Sequence, residues 1–556
     1  MSERPVPDDE TFNQSPPFVD VNLFTSDIAL REAVRREGAA WAYQDLTAFG
    51  ALAGSAASHE LGRLANEHPP ELESFDPQGR RIDRVEFHPA YHQLMEISTA
   101  QGLHCSTWEH LAASVSPKPG AHVARCAGSY MAAQMEAGHC CPITMTHAAV
   151  ASLRHAPDLA QDLLPKIFAR AYDPSTMPIE EKAAITLGMG MTERQGGTDV
   201  RANTTRAETL DGAGPGKVYA ITGHKWFLSS PMSDAFLVLA QAKGGLSCFF
   251  LPRLTSDGSL NGLKLQRLKD KLGNRSNASA EVEFDRAQGV LVGEEGRGIP
   301  TIIDMVTLTR LDCAVSSAGL MRQAIARAIQ HARHRSVFQK RLIDQPLMAQ
   351  VLADMALDVE AATALAFRLT RAFDDDSEGD AAYRRLMTPV TKYWVCKAAP
   401  ALAYEAMECL GGNGYVEDGG FPRLYREVPV NGIWEGSGNV MCLDVLRVIE
   451  REPETLSKVI VQFGAVASAE PRLKQAVTRI EALAQDVGRD QSVARALVEL
   501  LALAAAAALL ARYAPRHVSD AFLATRLGGS WRNTYGAGLA SANTSAIVDR
   551  AAPQLS

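Results

Sequence analysis

Gly188-Met-Gly-Met-Thr-Glu-Arg-Gln-Gly-Gly-Thr-Asp199 stands where the texture of this 556-residue chain changes. Its glycines free backbone N–H groups to face an anion, and Thr192 and Thr198 add hydroxyls. Downstream, Val218–Thr222, Phe236–Ala240, Leu246–Pro252 and Ala280–Phe284 are short and rich in β-branched or aromatic residues. Turn signals at Asp211–Gly216, Lys243–Gly245 and Gly273-Asn274 separate them. The pattern predicts an antiparallel β-domain over residues 184–294, set between helical regions. No βαβαβ alternation is present, which argues against a doubly wound dinucleotide domain.

Outward from this block the spacing is helical on both sides. Residues 1–30 are polar and Pro-rich. From Asp27 to about Ala169 helical periodicity dominates, broken at Pro69-Pro70, Pro117–Gly120 and Cys141-Pro142, giving an N-terminal helical domain over 1–183. Beyond the β-domain, Thr301–Arg335, Pro346–Phe373, Tyr383–Leu410 and Gly438–Ile449 read as four long helices with short connections, a bundle over 295–450. Pro453 opens a further helical region over 451–556. A chain of this length exceeds one hydrophobic core, so the expected class is mostly α with a central antiparallel β-domain.

Composition narrows function by exclusion. A formal net charge of −8 and a pI near 6.0 give no whole-chain footprint for nucleic acid or an anionic membrane. Met1–Asn13 lacks the basic and apolar regions of a secretion signal, so a cytoplasmic location is expected. Leu500–Ala511, the longest apolar run, is short for a bilayer and reads as a buried helix. The nine cysteines form no CxxC pair, and the histidines show no HExxH spacing, so no metal site is expected.

Two more stretches carry chemistry. Gly223-His-Lys-Trp-Phe-Leu-Ser229 is a strand that offers aromatic rings beside a hydroxyl. Pro429-Val-Asn-Gly-Ile-Trp-Glu-Gly-Ser-Gly-Asn439 sets one carboxylate, Glu435, between an aromatic ring and glycines. Two readings fit it: a Gly-rich connection with a solvated glutamate, or a cofactor loop with an acid or base placed in it. Lys271–Ser276 and Leu410–Gly414 accompany these stretches.

In this order the stretches resemble the acyl-CoA dehydrogenase family of flavoproteins. Thr192–Asp199 looks like its Thr-Glu-Pro-x-Ala-Gly-Ser-Asp, Gly223–Ser229 like its Gly-x-Lys-x-Trp-Ile-Thr, and Trp434–Ser437 like its Tyr-Glu-Gly-Thr. Asn22–Phe24, Glu60–Asn66, Cys141–Thr146, Asn431–Arg447 and the extra C-terminal region are most similar to the branch that serves the bacterial response to DNA alkylation. The resemblance implies a helical N-domain, a middle β-domain and a C-terminal four-helix bundle, with FAD between them in a homotetramer built as a dimer of dimers. It places Met191 and Thr192 on the flavin ring beside Met189 and Gly190, with Gly196, Gly197 and Thr198 near the phosphates. Phe227, where the family usually has tryptophan, would lie on the flavin face next to Leu228, and Ser229 replaces the threonine that reaches flavin N5. Ile433, Trp434, Ser437 and Asn439 would complete the site. Arg335 and Phe338 would serve a neighbouring subunit's FAD. Glu408 and Gly412 would meet the adenosine end, with Glu408 replacing the family's glutamine.

The resemblance also makes Glu435 the base for an acyl-CoA thioester, with Arg310 charged beside the pocket and Thr307 where some members carry an acid. In that branch dehydrogenase activity is weak and double-stranded DNA is bound without sequence preference. Residues 450–556 hold 12 Lys+Arg and 10 Asp+Glu, a slight positive excess concentrated at Arg512, Arg516, Arg526 and Arg532, the candidate phosphate contacts. The leading expectation is therefore a DNA-protecting or repairing FAD protein with weak, isovaleryl-CoA-like dehydrogenase activity. The alternatives are a metabolic short- or branched-chain acyl-CoA dehydrogenase and a DNA-binding scaffold with structural flavin.

Overall fold

The computed structural model describes residues 13–554 apart from 114, 211, 487–489 and 530–542. Its sheet forms where the β-branched segments lie, and the strands run longer than their apolar centres. After a two-stranded hairpin of β1 (Glu71–Phe75) and β2 (Arg81–Glu86), the main sheet contains β3 (Leu187–Gly190), β4 (Arg206–Thr209), β5 (Val218–Ser229), β6 (Ala235–Ala242), β7 (Gly245–Pro252), β8 (Leu263–Leu268) and β9 (Ser279–Val292). Pairings β5–β9, β9–β7, β7–β6, β6–β3 and β3–β5 return to their start, so the sheet curls round its own apolar interior. The expectation of a wholly antiparallel domain is corrected at one edge, because β3 runs parallel to β6. β3 arrives from the helical N-terminal region rather than from a hairpin turn, so nothing forces it to reverse direction.

The β1–β2 hairpin corrects the all-helical reading of the N-terminal region. Its strands are mostly charged, which hid their alternation, but Leu72 and Val85 pack on the core of the main sheet. Asp83 accepts from the Leu265 amide at 3.0 Å and Arg81 donates to the Leu265 carbonyl, so the hairpin caps β8.

The bundle follows its apolar periodicity closely, as helices Gly298–His334, Pro346–Arg371, Glu378–Cys409 and Gly438–Arg451. N-terminal helix Ala121–Met135 crosses the first of these so tightly that a Cβ at Gly319 would lie 2.4 Å from the Tyr130 carbonyl oxygen. Arg125 grips buried Asp312 with two bonds of 2.5 and 2.7 Å, and Thr144 adds a third at 2.8 Å. Breaking such a buried pair costs roughly 3–5 kcal/mol, so this is the bolt between the N-terminal domain and the bundle.

The tail is part of the same core. Alanine-rich helix Ala494–Tyr513 packs on three bundle helices and on Pro471–Asp486. With its lead-in, Gln491–Tyr513 is long and apolar enough to cross a bilayer, which corrects the shorter span read from the sequence; its most apolar window is 61% buried in the protein. Arg526 corrects another expectation. Its guanidinium is sealed between Asp354 at 2.7 Å and Asp358 at 3.0 Å on the second bundle helix, so it ties the tail down and faces no phosphate. Arg532 lies outside the described residues. Arg512 and Arg516 are exposed.

Candidate active site

The loop around Glu435 is shaped by cations that hold its backbone. Lys392, buried in the third bundle helix, donates to the carbonyls of Asn431 at 2.9 Å and Gly436 at 2.8 Å. Arg310 donates through Nε to the Glu435 carbonyl at 2.9 Å and through Nη1 to Asp444 at 2.8 Å. Asn431 receives Trp434 Nε1 at 2.9 Å and donates to Ser317 at 3.1 Å, which fixes the indole. Under this grip Glu435 adopts φ +59°, a left-handed conformation uncommon for a residue with a Cβ, and Gly436 follows at +107°.

The clamps take main-chain oxygens and leave the Glu435 carboxyl free. Its Oε2 is sealed from solvent without a hydrogen-bond partner. Burial pushes its pKa upward, opposed by the Thr309 hydroxyl and the charges of Arg310 and Lys392. A carboxylate held ready for a proton in this way suits general-base work. Arg310, expected beside the pocket, holds the loop and Asp444. Thr309, Lys392 and Asp444 were absent from the sequence reading. Lys392 is the least visible of them, since a lysine inside a long helix ordinarily marks a solvated face.

The two other walls are locked to each other. Met189 pairs with Ser229 across β3 and β5, and the Trp226 amide donates to the Thr192 carbonyl at 2.8 Å. Beneath them Glu193 and Lys225, one from each motif, form a fully buried pair at 2.8 Å. Burial alone would raise the Glu193 pKa, but Lys225 and the Thr204 amide hold it down at about 2; burial brings Lys225 down to about 8 against the pull of Glu193. The spacing of both motifs therefore records one salt bridge as well as a ligand surface. A register shift between Lys225 and Leu228 bulges β5 at Trp226 and Phe227, which turns Phe227 outward while Leu228 stays buried.

These surfaces fit a flat cofactor. Phe227, Ile433 and Phe338, all assigned to FAD, are 47%, 67% and 93% exposed, apolar faces without a partner in the single chain. Gly196 and Gly412 have open space where a Cβ would stand, while one at Gly197 would lie 2.4 Å from the Thr192 hydroxyl oxygen. Met191 and Trp434 pack on the same apolar cluster, which brings the first and third walls together. Thr198 stands near the tip of its loop, and Ser437 precedes the fourth bundle helix, where it makes no capping bond. Glu408 and Gly412 are exposed at the end of the third bundle helix. Arg335 lies 25 residues beyond Arg310 along the first bundle helix and its end, about 37 Å at helical rise, and donates to the Asn13 carbonyl at 2.8 Å. Asn439 is turned to the tail, accepting from Arg495 at 2.8 Å.

Next to the loop, and sharing Arg310 and Asp444 with it, lies a cleft of about 450 Å³ whose walls include Thr307, Arg385 and Lys458. Its cations are matched by acids, with Arg385 3.7 Å from Asp444 and Lys458 2.5 Å from Glu378. Among the described residues no group of three His, Cys, Asp or Glu side chains is placed to hold a metal ion, and all nine cysteines are free thiols.

A helical N-domain, a curled β-domain and a four-helix bundle around a buried, unpaired glutamate define an acyl-CoA dehydrogenase-type flavoprotein architecture. The family models agree: the acyl-CoA dehydrogenase middle domain matches residues 188–287 and its C-terminal domain residues 296–450. The adaptive response protein AidB N-terminal domain matches residues 13–174. AidB of Escherichia coli (strain K12) is 50% identical over 485 residues, 86% of this chain and 88% of that protein. Acyl-CoA dehydrogenase family member 11 of Caenorhabditis elegans is 33% identical, over 79% of this chain and 72% of that one. The crystal structure of C. elegans ACDH-11 in complex with C11-CoA superposes with a TM-score of 0.83 at 29% identity, covering 96% of each chain. The apo-form of Bd2924 gives 0.80 at 28% identity, covering 91% of this chain and all of that one. The chain belongs to the acyl-CoA dehydrogenase family, and within it to the members that carry the AidB-type N-terminal domain.

Proposed function

We propose that this chain is an FAD protein of the alkylation-damage response whose flavin site remains chemically competent toward an acyl-CoA thioester. The observation that carries this reading is the Glu435 carboxyl: buried, unpaired at Oε2 and raised in pKa, on a loop whose backbone is clamped from two bundle helices. FAD, when bound, accepts a hydride from the carbon β to the thioester carbonyl. The chain's own part is to take the α-proton on Glu435, hold the loop through Lys392 and Arg310, and exclude water with Trp434. A thioester α-carbon is a weak acid, so the carboxylate must be desolvated and aimed before the substrate arrives. The neighbouring cleft of about 450 Å³ lies within the range of small-ligand sites, and the relative crystallised with C11-CoA shares the fold over nearly its whole length.

The test is anaerobic mixing of the FAD-loaded protein with a panel of acyl-CoA thioesters that includes isovaleryl-CoA. Bleaching of the flavin band by at least one thioester, abolished in Glu435→Gln, supports the reading. No bleaching with any member of the panel overturns it.

Duplex DNA is the second partner in this proposal, supported by the AidB-type N-terminal domain and by exposed Arg512 and Arg516. Contacts of this kind reach phosphates without reading bases and weaken as salt rises. Arg526 is no longer among the candidate contacts. The separation of Arg335 and Phe338 from the Glu435 loop favours a role for them at a second copy's cofactor, in a homotetramer. The protein is placed in the cytoplasm, where its DNA would be.

A further inference from the structure

Where helix Ala56–Glu67 of the N-terminal domain meets the bundle, three nitrogen atoms are sealed from solvent with no partner: His59 Nδ1, Arg327 Nε and Arg423 Nη1. They come from three separate elements, the N-terminal helix, the first bundle helix and the short helix Phe421–Glu427. Arg327 and Arg423 line one cavity of about 20 Å³, room for the centre of a single small particle. The backbone is pared back around both guanidiniums. A Cβ at Gly62 would stand 2.9 Å from Arg423 Nη1, and one at Gly420 would stand 3.7 Å from Arg327 Nη1.

The nearby carboxylates are committed elsewhere. Glu136 accepts from the His139 ring and amide and from Asn66 and Ser276. Glu427 accepts both donors of Asn274, Glu67 is taken by Arg63, and Glu417 is taken by Arg426. The one hydrogen bond of Arg327 among the described residues goes to the Gly419 carbonyl at 3.1 Å. Burial, and then Arg423, lower the Arg327 pKa to about 10, and burial with both arginines holds His59 at about 3. The imidazole is therefore neutral, and the two like charges face each other. Such a pair is costly inside a protein unless a counter-charge stands between them.

We propose that this pocket binds one compact monovalent anion, a halide or the head of a small carboxylate, between Arg327 Nε and Arg423 Nη1. The cavity suits such an ion better than a phosphate. Bound there, the anion joins the N-terminal helix to two bundle elements, so its occupancy sets how firmly the N-terminal domain is seated.

The experiment uses the full-length FAD-loaded protein in a buffer whose only anion is a bulky sulfonate, at constant ionic strength. Sodium chloride, sodium formate and sodium phosphate are titrated separately, and unfolding is followed by tryptophan fluorescence. Chloride or formate should raise Tm saturably by about 2 °C, phosphate should not, and the lower half-saturation identifies which source the pocket prefers. Arg423→Gln should be at least as stable as the parent in sulfonate buffer, because a like charge has been removed, and should lose the response to chloride and formate. Arg327→Gln should behave the same way and stands in if the first variant does not fold. The proposal is overturned if all three salts act alike on parent and variant, or if both variants lower Tm equally in every buffer, which would mean water and packing alone fill the site.

Discussion

Arg310 and Arg526 are both buried on bundle or tail helices, yet they leave opposite things behind. Arg310, with Lys392, spends its donors on the carbonyls of the Glu435 loop, and the one side chain that matters there keeps a bare oxygen. Arg526 spends its donors on Asp354 and Asp358, and no charge remains for an outside ligand. Chemistry resides where the scaffold binds the backbone and leaves the carboxylate alone; anchoring is found where side chain meets side chain.

The largest effect expected from this contrast falls on Glu435 itself. Glu435→Gln should lower the rate of flavin reduction by roughly 10³–10⁴-fold, read by anaerobic stopped flow, while FAD absorbance is retained. In the parent, that rate should rise with pH through a pKa above the ordinary 4.5, the value that burial has moved upward. A raised folded-state pKa gives stability that is complete below 4.5 and lost as pH rises through the shifted value. The glutamine variant should therefore be more stable than the parent at neutral pH, and a lower Tm there would break the picture of an unpaired carboxylate.

Arg526→Ala comes next. Taking the cation from between two buried aspartates should cost about 3–5 kcal/mol in denaturant unfolding, with flavin reduction in the surviving folded fraction unchanged. A cost below ~1 kcal/mol would mean the tail is not seated through this arginine. Lys392→Met should reduce flavin reduction by on the order of 10²-fold through a displaced loop, although Lys392 touches no part of the Glu435 carboxyl. The smallest structural effect belongs to Arg512→Glu with Arg516→Glu. Stability should stay within ~0.5 kcal/mol, while duplex retention in a gel shift weakens and the log–log salt dependence flattens by roughly 2. Unchanged retention would remove these two arginines from the DNA surface.

Much of the scaffold was legible because long amphipathic helices and β-branched strands announce themselves by period. The four bundle helices begin and end within a few residues of the positions their apolar spacing gives. The β1–β2 hairpin was not legible: its strands carry charge on nearly every outward position and only Leu72 and Val85 mark the inner face. In the site, Glu435 and Trp434 could be found from composition and resemblance, but their restraints could not, since Lys392 lies forty-three residues upstream of Glu435 in an unremarkable helix. Arg526 was misread for a physical reason, because counting arginines ignores burial. A signal did exist in Asp354 and Asp358, two carboxylates four residues apart on an otherwise apolar helix, which demand a buried cation.

The bond from Arg495 to Asn439 has a consequence for how the gene was assembled and how it can be taken apart. The tail reaches back to a residue that relatives would use for cofactor, and its alanine-rich helix lies against the bundle. Such a segment is not cargo on a hitch. A stop codon near residue 450 would strip the bundle of an apolar cover and leave Asn439 without its arginine, so the shortened product would test folding and cofactor retention before it tested DNA. Descent must have altered both sides of that seam together, and an engineer seeking either function alone should edit surface charges and leave the chain whole.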